Sequence, residues 1–285
     1  MPSLIDIRRR IRSVKNTQQI TKAMKMVSAA KLRRAQDRAI ASRPYGKMME
    51  RVLSDIAAAA SSIEDTTELP LLETREEKRI QLIVISSDRG LAGAFNSNLF
   101  RMVQRFLEEH RGADIRVEAI GRKARDYFRK RNFNITGEHI HIIEKPSYTQ
   151  AAGIADKMID LYRKSEVDAV YIAVNEFKNV MSPNLVMRKL LPVTVPEGGE
   201  QIDFIYEQPI EEMLRVLLPR YVEMEIYRSM LESNSAEQAA RMTAMDTATS
   251  NAGDVIQSLT LKMNRVRQAS ITREIIEIVS GTAAL

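Results

Sequence analysis

The sequence predicts a mixed α/β fold, in which a long antiparallel coiled coil of N- and C-terminal helices accompanies a central, Rossmann-like α/β domain with a mostly parallel sheet. Three observations predict it. Residues 3–43 contain no glycine or proline, and Gly253 is the only such residue between positions 220 and 280. Between these ends, β-rich and helix-like segments alternate along the chain. An apolar heptad repeat, typical of coiled coils, follows in the C-terminal segment.

The N-terminal helix is expected over residues 3–58, a length of roughly 80 Å. Its apolar seam starts regularly, but the same register then places polar residues on the seam and apolar residues on other faces. Two explanations remain open: a stutter in an ordinary coiled coil, or a helix with neighbours on all sides. The regular seam is Leu4, Ile7, Ile11 and Val14; the later seam is Gln18, Thr21, Lys25 and Ser28; the dispersed apolar residues are Ile20, Ala23, Met24, Met26, Val27 and Ala30.

The C-terminal helix is expected to begin near Pro209 or Pro219 and to end near Gly281, which gives roughly 90 to 110 Å. Both long helices attach to one central domain and should therefore pair antiparallel, with Val14 near Ile256. The longer helix should overhang its partner by about 15 to 30 Å. Its heptad positions are Leu214, Leu217, Tyr221, Met224, Leu231, Met242, Met245, Ala252, Ile256, Leu259, Met263 and Val266, with Arg228, Ser235, Gln238 and Thr249 as polar interruptions. The overhang carries Ile271, Ile275, Ile276, Ile278 and Val279 on several faces.

The central segment alternates between strand and helix composition, which favours a largely parallel sheet. Strands are expected at 79–86, 115–120 and 167–174, and helices at 96–111, 121–131 and 149–165. Polar, breaker-containing stretches at 66–77 and 196–209 are expected to be linkers. The resulting division is 1–60 for the first helix, 76–200 for the α/β domain and 209–285 for the last helix.

Composition narrows the possible functions of this 285-residue chain. It has no cysteine, which excludes disulfides, thiolate metal sites and thiol nucleophiles. The longest strongly apolar uncharged stretch, residues 80–87, is far shorter than the roughly 20 residues of a membrane-spanning helix, so no direct membrane insertion is expected. Residues 1–60 contain 14 Lys and Arg against 4 Asp and Glu, whereas residues 201–285 contain 8 against 12. This asymmetry indicates either pairing of the two ends or an acidic partner for the first.

Candidate catalytic and ligand-binding motifs are weak. The loop SSDRGLAGAFN at 86–96 follows a predicted strand, as a phosphate-binding loop would, but it matches neither standard glycine-rich pattern. A tight strand-to-helix turn is the favoured interpretation. His139 and His141 would share one strand face, but no third metal ligand has readable spacing. We therefore expect no catalytic residue, no cofactor and no metal.

The first helix has a strongly basic face that could contact phosphates. No aromatic residue precedes Tyr45, so base stacking on single strands is not expected. An RNA- or ribosome-binding protein with a basic coiled-coil arm stays open as an alternative, beside a solvated face or an acidic protein partner. The basic residues are Arg8, Arg12, Lys15, Lys22, Lys25, Lys31, Arg33 and Arg34.

Several stretches of sequence carry a family resemblance. They are IDIRRRI at 5–11, SVKNTQQITKAMKMV at 13–27, QAARMTAM at 238–245, RQASITREI at 267–275, and SDRGL at 87–91 with Phe95 and Asn96. Together they resemble the gamma subunits of F-type ATP synthases, and the likeness covers essentially the whole chain. Ala92 and Ala94 stand where members of that family often have Cys and Gly.

The resemblance implies a non-catalytic rotor shaft, which couples rotation of the membrane c-ring to conformational changes in a ring of three alpha and three beta subunits. It also implies contact with the epsilon subunit, no nucleic-acid partner and a peripheral position on the cytoplasmic face of the bacterial inner membrane, or on the matrix side in an organelle. The residues that it assigns to the surrounding ring are Lys22, Met24, Lys25, Arg265, Arg267, Gln268, Thr272 and Glu274. Phe204, Ile205 and Tyr206 are expected to face the c-ring and epsilon.

Overall fold

The computed structural model describes residues 3–60, 69–179, 183–194 and 208–283. The elements, in chain order, are α1 (Leu4–Ala60), β1 (Arg79–Ile85), α2 (Phe95–Glu109), β2 (Asp114–Ile120), α3 (Arg122–Arg129), β3 (Ile135–His139), α4 (Tyr148–Arg163), β4 (Ala169–Phe177), β5 (Pro183–Leu191) and α5 (Ile210–Ala283). The chain divides into two compact units. The helical unit comprises the described residues of Met1–Ala29 and Arg241–Leu285, and the α/β unit comprises those of Ala30–Ala240.

The α/β unit is built on a five-stranded sheet in the order β3-β2-β1-β4-β5. β1 pairs parallel with β2 and β4, β2 pairs parallel with β3, and only the β4–β5 pair is antiparallel. The central strand β1 is buried from Ile80 to Ile85, as expected for a parallel strand covered on both faces. The predicted mostly parallel sheet is confirmed.

Apolar side chains cover both faces of this sheet. On one face, Leu82 and Val117 pack with Leu99 of α2 and Phe128 of α3. On the other face, strand residues pack with α4 and with the parts of α1 and α5 that belong to this unit; this cluster includes Leu53, Ile83, Ile154, Tyr162 and Leu218. The three-layer arrangement follows from alternation of side chains along each strand.

Within the α/β unit, α1 and α5 run antiparallel. Arg43 Nη2 lies 3.3 Å from Glu232 Oε1, and Arg228 Nη1 lies 3.0 Å from Glu50 Oε1, so the numbering falls along one helix as it rises along the other. α5 begins at Ile210, which settles the two predicted starts in favour of the earlier one, and it continues through Pro219.

Within the helical unit, the two helices are also antiparallel. Gln18 Nε2 donates a 3.3 Å hydrogen bond to the carbonyl oxygen of Thr249, and Lys25 is paired with Asp246. Continuing this register by one turn places Val14 near Ile256, and both residues are half-buried. The predicted antiparallel coiled coil is therefore confirmed.

The bounds of two strands were not predicted from the sequence, and both strands lie at the edges of the sheet. The expected strand face shared by His139 and His141 is wrong, because β3 ends at His139 and His141 follows it with φ of 64°. β3 (ITGEH) contains a glycine and charged residues, and β5 begins with a proline, so neither has the continuous apolar pattern of a central strand. The beginning of the first predicted linker, residues 66–68, lies outside the described residues. So do residues 196–207 of the second linker, which include Phe204, Ile205 and Tyr206.

Candidate partner interface

The interior of the helix pair in the helical unit is polar at its centre. Thr21 and Ser28 are buried there, with 8% and 2% of their surfaces exposed. The Thr249 and Thr21 hydroxyls lie 2.8 Å apart across the pair. Thr21, Ser28 and Thr249 are among the polar residues that the heptad register predicted at the seam. Hydrogen bonds between small polar residues join the helices at this level, beside the buried side chain of Met245.

Lys22 and Lys25 line an open groove of about 570 Å³ on this helix pair. Lys25 Nζ is 2.6 Å from Asp246 Oδ1, and its side chain remains 42% exposed. Lys22 is exposed and Met24 is half-buried. The full lining is Gln18, Gln19, Lys22, Lys25, Met26, Ala29, Asp246 and Thr249. The groove therefore presents ammonium groups beside an apolar wall.

The five predicted contact residues of α5 occupy a second level of the helical unit. Arg265, Arg267, Gln268, Thr272 and Glu274 are all exposed. By the helix register Lys22 lies level with about residue 249, so Arg265 is roughly 24 Å further along the pair. The eight predicted residues thus form two separate groups rather than one cluster.

Local hydrogen bonds order part of this second group. The Thr272 hydroxyl donates to the Gln268 carbonyl oxygen at 2.9 Å, and the Ser270 hydroxyl donates to Glu274 Oε1 at 3.1 Å. The guanidinium of Arg267 has no ion pair among the described residues. Its exposed position makes it available to a carboxylate outside the chain.

Exposed apolar residues surround both levels. Ile5, Ile20, Met26 and Val27 of α1 are between 55% and 68% exposed. Beyond the level of Ser3, α5 carries five more at 49% to 67% exposure: Ile271, Ile275, Ile276, Ile278 and Val279. Apolar residues exposed on several sides of a helix pair mark a surface that contacts other molecules.

The helical unit also carries all of the excess positive charge of the chain. Residues 1–29 and 241–285 contain 12 Lys and Arg against 5 Asp and Glu. A surface that combines exposed apolar residues with a net positive charge complements an acidic surface on a partner protein.

The 86–96 loop is a structural turn, as the sequence favoured. Ser87 Oγ and Asn96 Nδ2 lie 2.8 Å apart. Asp88 accepts hydrogen bonds from the backbone N–H groups of Arg122 and His141. Leu91 adopts a left-handed conformation with φ of 64°. The polar side chains that could have held a phosphate are thus used to join the strand ends to the helices.

His139 lies in a hydrogen-bonded cluster around a buried carboxylate rather than in a metal site. Its Nε2 is 2.7 Å from Oε1 of the fully buried Glu118, and Lys157 Nζ is 2.7 Å from Oε2 of the same carboxylate. Burial alone would raise the pKa of Glu118, but the hydrogen bonds from His139 and Lys157 outweigh it and lower that pKa. Across residues 3–60, 69–179, 183–194 and 208–283, no three His, Cys, Asp or Glu residues are grouped to hold a metal.

Two features of these sites were missed by sequence reasoning. Asp246, the partner of Lys25, is 221 residues away along the chain. Glu118 lies in a largely apolar strand, and the sequence did not indicate that its carboxylate would be buried. The heptad register was the only available signal for the first, since it places residues near 246 opposite Lys25. No local signal marked the second.

No helix in the described part of the chain has the length and apolar character required to cross a membrane.

Comparisons with known proteins agree with the resemblance. The family model described as ATP synthase matches residues 3–285. The ATP synthase gamma chain of Solibacter usitatus is 61% identical over 284 residues, covering 100% of this chain and 99% of that one. The solved central stalk and c-ring of Tetrahymena thermophila mitochondrial ATP synthase contains a chain that is 26% identical, with a TM-score of 0.60, covering 80% of this chain and 99% of that chain.

A more distant structure shares the fold. A chain in the rotor of Euglena gracilis mitochondrial ATP synthase is 18% identical with a TM-score of 0.67, covering 94% of this chain and 98% of that chain. The family model and the relatives match this chain along its full length. The antiparallel helix pair and the α/β unit agree with that match. This chain belongs to the family of ATP synthase gamma chains.

Proposed function

We infer that this chain is the non-catalytic central rotor subunit of an ATP synthase. The observation that carries this inference is the helical unit, whose exposed apolar residues and basic groups surround a polar seam. Flexible Met26 and the isoleucines of α5 can contact a surrounding protein on several sides without one deep energy minimum. Such a surface suits a shaft that turns inside other subunits.

The shaft would act by differential contact. As it rotates, each surrounding catalytic subunit meets a different side of the helix pair, and the contacts stabilise a different conformation of that subunit. Lys22, Met24 and Lys25 at one level, with the five α5 residues at the other, are the proposed contact positions. Catalysis takes place in the surrounding subunits and not in this chain.

The proposed partners are three alpha and three beta subunits around the helical unit, with the epsilon subunit and the c-ring contacting the α/β unit. The complex would translocate protons, and this chain would sit peripherally at the cytoplasmic face of the bacterial inner membrane. Full-length similarity to bacterial gamma chains supports this arrangement.

The test is to place an affinity tag on this chain, to purify the complex from the organism that makes it, and to determine which subunits the complex contains. We expect one copy of this chain with three copies of each of two larger nucleotide-binding subunits. Native mass spectrometry gives the stoichiometry. Recovery of ribosomal proteins or RNA without those subunits, lost steeply with added salt, would contradict the rotor function.

A further inference from the structure

A small cavity of about 110 Å³ in the α/β unit has a polar floor and a cationic rim. The floor includes Asn234 and Gln238 of α5, which are 5% and 4% exposed. The rim comes from α1 and from the segment between β3 and α4. Its charged residues are Lys31, Arg34, Arg38, Glu144 and Lys145.

Positive charge at the rim exceeds what the chain neutralises. Glu144 is the only carboxylate lining the described cavity, and Lys31 is hydrogen-bonded to it. Arg89 lies 3.7 Å from the same carboxylate. These contacts lower the pKa of Glu144 through the Lys31 hydrogen bond and the nearby cations, so Glu144 is ionised at neutral pH. Arg34, Arg38 and Lys145 form no ion pair within the described residues.

The floor contains an unsatisfied acceptor. Gln238 Oε1 is buried and has no hydrogen-bond partner among the described residues. Its neighbour on the floor differs, because Asn234 Nδ2 donates to the Glu144 carbonyl oxygen at 3.4 Å. A buried carbonyl oxygen without a donor is unfavourable, so a ligand that donates a hydrogen bond here would be stabilised.

These two features require opposite properties in one small ligand. The rim requires anionic oxygens, which guanidinium groups bind in a bidentate fashion. The floor requires an O–H donor. A phosphate group in its monoprotonated form has both, whereas sulfate at neutral pH has oxygens but no proton.

We propose that this cavity binds a phosphate group, held by Arg34, Arg38 and Lys145 at the rim and by an O–H donated to Gln238 Oε1 on the floor. Inorganic phosphate keeps at least one proton at neutral pH, whereas the terminal phosphate of a nucleotide is mostly unprotonated there, so inorganic phosphate is the ligand that fits both the rim and the floor. This binding site is independent of the rotor function, because it depends only on the α/β unit.

The test is calorimetric titration of the full chain at pH 7 with inorganic phosphate, with ADP and with sulfate. We expect saturable binding of inorganic phosphate, and weaker binding of ADP, whose terminal phosphate is mostly unprotonated at this pH. Sulfate should bind about tenfold more weakly, since it lacks the proton for Gln238. Absence of saturable binding by inorganic phosphate, or equal affinity for sulfate or ADP, would overturn the proposal.

Variants then locate the binding. Arg34→Gln with Arg38→Gln should weaken phosphate binding about tenfold or more, because two charge-assisted contacts are lost. Arg8→Gln with Arg9→Gln removes the same charge from exposed positions of the same helix and should leave binding within about twofold. Equal weakening by both pairs would show a diffuse charge effect and reject the site.

A third variant tests the floor. Gln238→Leu should lose the preference of phosphate over sulfate while retaining binding to the rim. Circular dichroism verifies that each variant is folded. If Gln238→Leu does not fold, the comparison of phosphate with sulfate on the unaltered chain still decides whether the proton is recognised.

Discussion

The ammonium group of Lys25 lies 2.6 Å from Asp246 Oδ1, joining α1 to α5 across the helical unit. Both side chains remain substantially exposed, at 42% and 60%. Water therefore screens the pair, and its contribution to folding is small. The pair instead holds Lys25 in a defined position in the groove that it shares with Lys22.

A double-mutant cycle should show weak coupling between these residues. With Lys25→Ala, Asp246→Asn and the double variant, we expect a coupling energy of about 0.2–1 kcal/mol in urea unfolding, which falls with added salt. Asp254→Asn, an exposed carboxylate on the same helix, is the control and should not couple to Lys25. Coupling above about 2 kcal/mol would show that the pair is a major stabilising contact.

Cysteine pairs should report the antiparallel register. The native chain has no cysteine, so Val14→Cys with Ile256→Cys should form a disulfide on mild oxidation, since seam positions at the same level lie within reach. Val14→Cys with Val255→Cys is the control, because Val255 is exposed and points away from the seam. Gel mobility without reductant measures the bridge. Bridging of the control alone would contradict the register.

Arg267 is expected to transmit torque without supporting the fold. It is exposed and follows the half-buried Val266, so Arg267→Ala should cost at most about 0.5 kcal/mol of stability. Loss of a directional contact with a surrounding carboxylate should slow ATP turnover and proton pumping of the assembled complex about 5- to 150-fold. Steady-state ATPase and pumping assays measure this.

The control for Arg267 is Arg105→Ala, which removes one exposed charge from α2 of the α/β unit. It should leave turnover unchanged. Normal turnover in the Arg267 variant, or its failure to assemble, would refute the proposed contact.

Glu118 should stabilise the α/β unit strongly at neutral pH. Glu118→Gln leaves Lys157 without its buried carboxylate partner, and we expect a loss of about 3 kcal/mol in urea unfolding at pH 7. The folded-state pKa is lowered from 4.5, so this stabilisation is present above pH 4.5 and is lost as pH falls through the folded-state pKa. The difference between the two proteins should therefore shrink in acid.

The matched control for Glu118 is Glu138→Gln on the adjacent strand. Glu138 is exposed and paired with Arg129 at 2.6 Å, so its loss should cost below about 1 kcal/mol. Equal losses from both substitutions would mean that burial of Glu118 has no energetic consequence.

Two glycines should respond oppositely to alanine. Gly121 has φ of 92°, and a Cβ there would lie 2.2 Å from the Ser86 carbonyl oxygen. Gly121→Ala should therefore cost about 3 kcal/mol or more. A Cβ at Gly153, inside α4, meets no atom within 4 Å, so Gly153→Ala should stabilise by about 0.5–1 kcal/mol. Thermal unfolding compares them; a neutral Gly121→Ala would contradict the clash.

The sequence determined the elements whose signals are local. Long segments without glycine or proline predicted the greater part of α1 and α5, because helix formation depends mainly on neighbours three and four residues away. In the structure α1 continues through Pro44 and α5 through Pro219. The apolar runs at β1, β2 and β4 predicted the strands at the centre of the sheet. The heptads predicted the polar seam positions Gln18, Thr21 and Thr249.

Only the tertiary structure decided which distant residues meet. Thr136 and Gly137 of β3 gain their strand conformation from pairing with β2, since an edge strand lacks a strong pattern of its own. Glu118 can be buried and ionised because folding brings Lys157 and His139 to it. Lys25 acquires its carboxylate from a helix 221 residues away. Contacts across such separations depend on packing of the whole chain, and no short stretch of sequence encodes them.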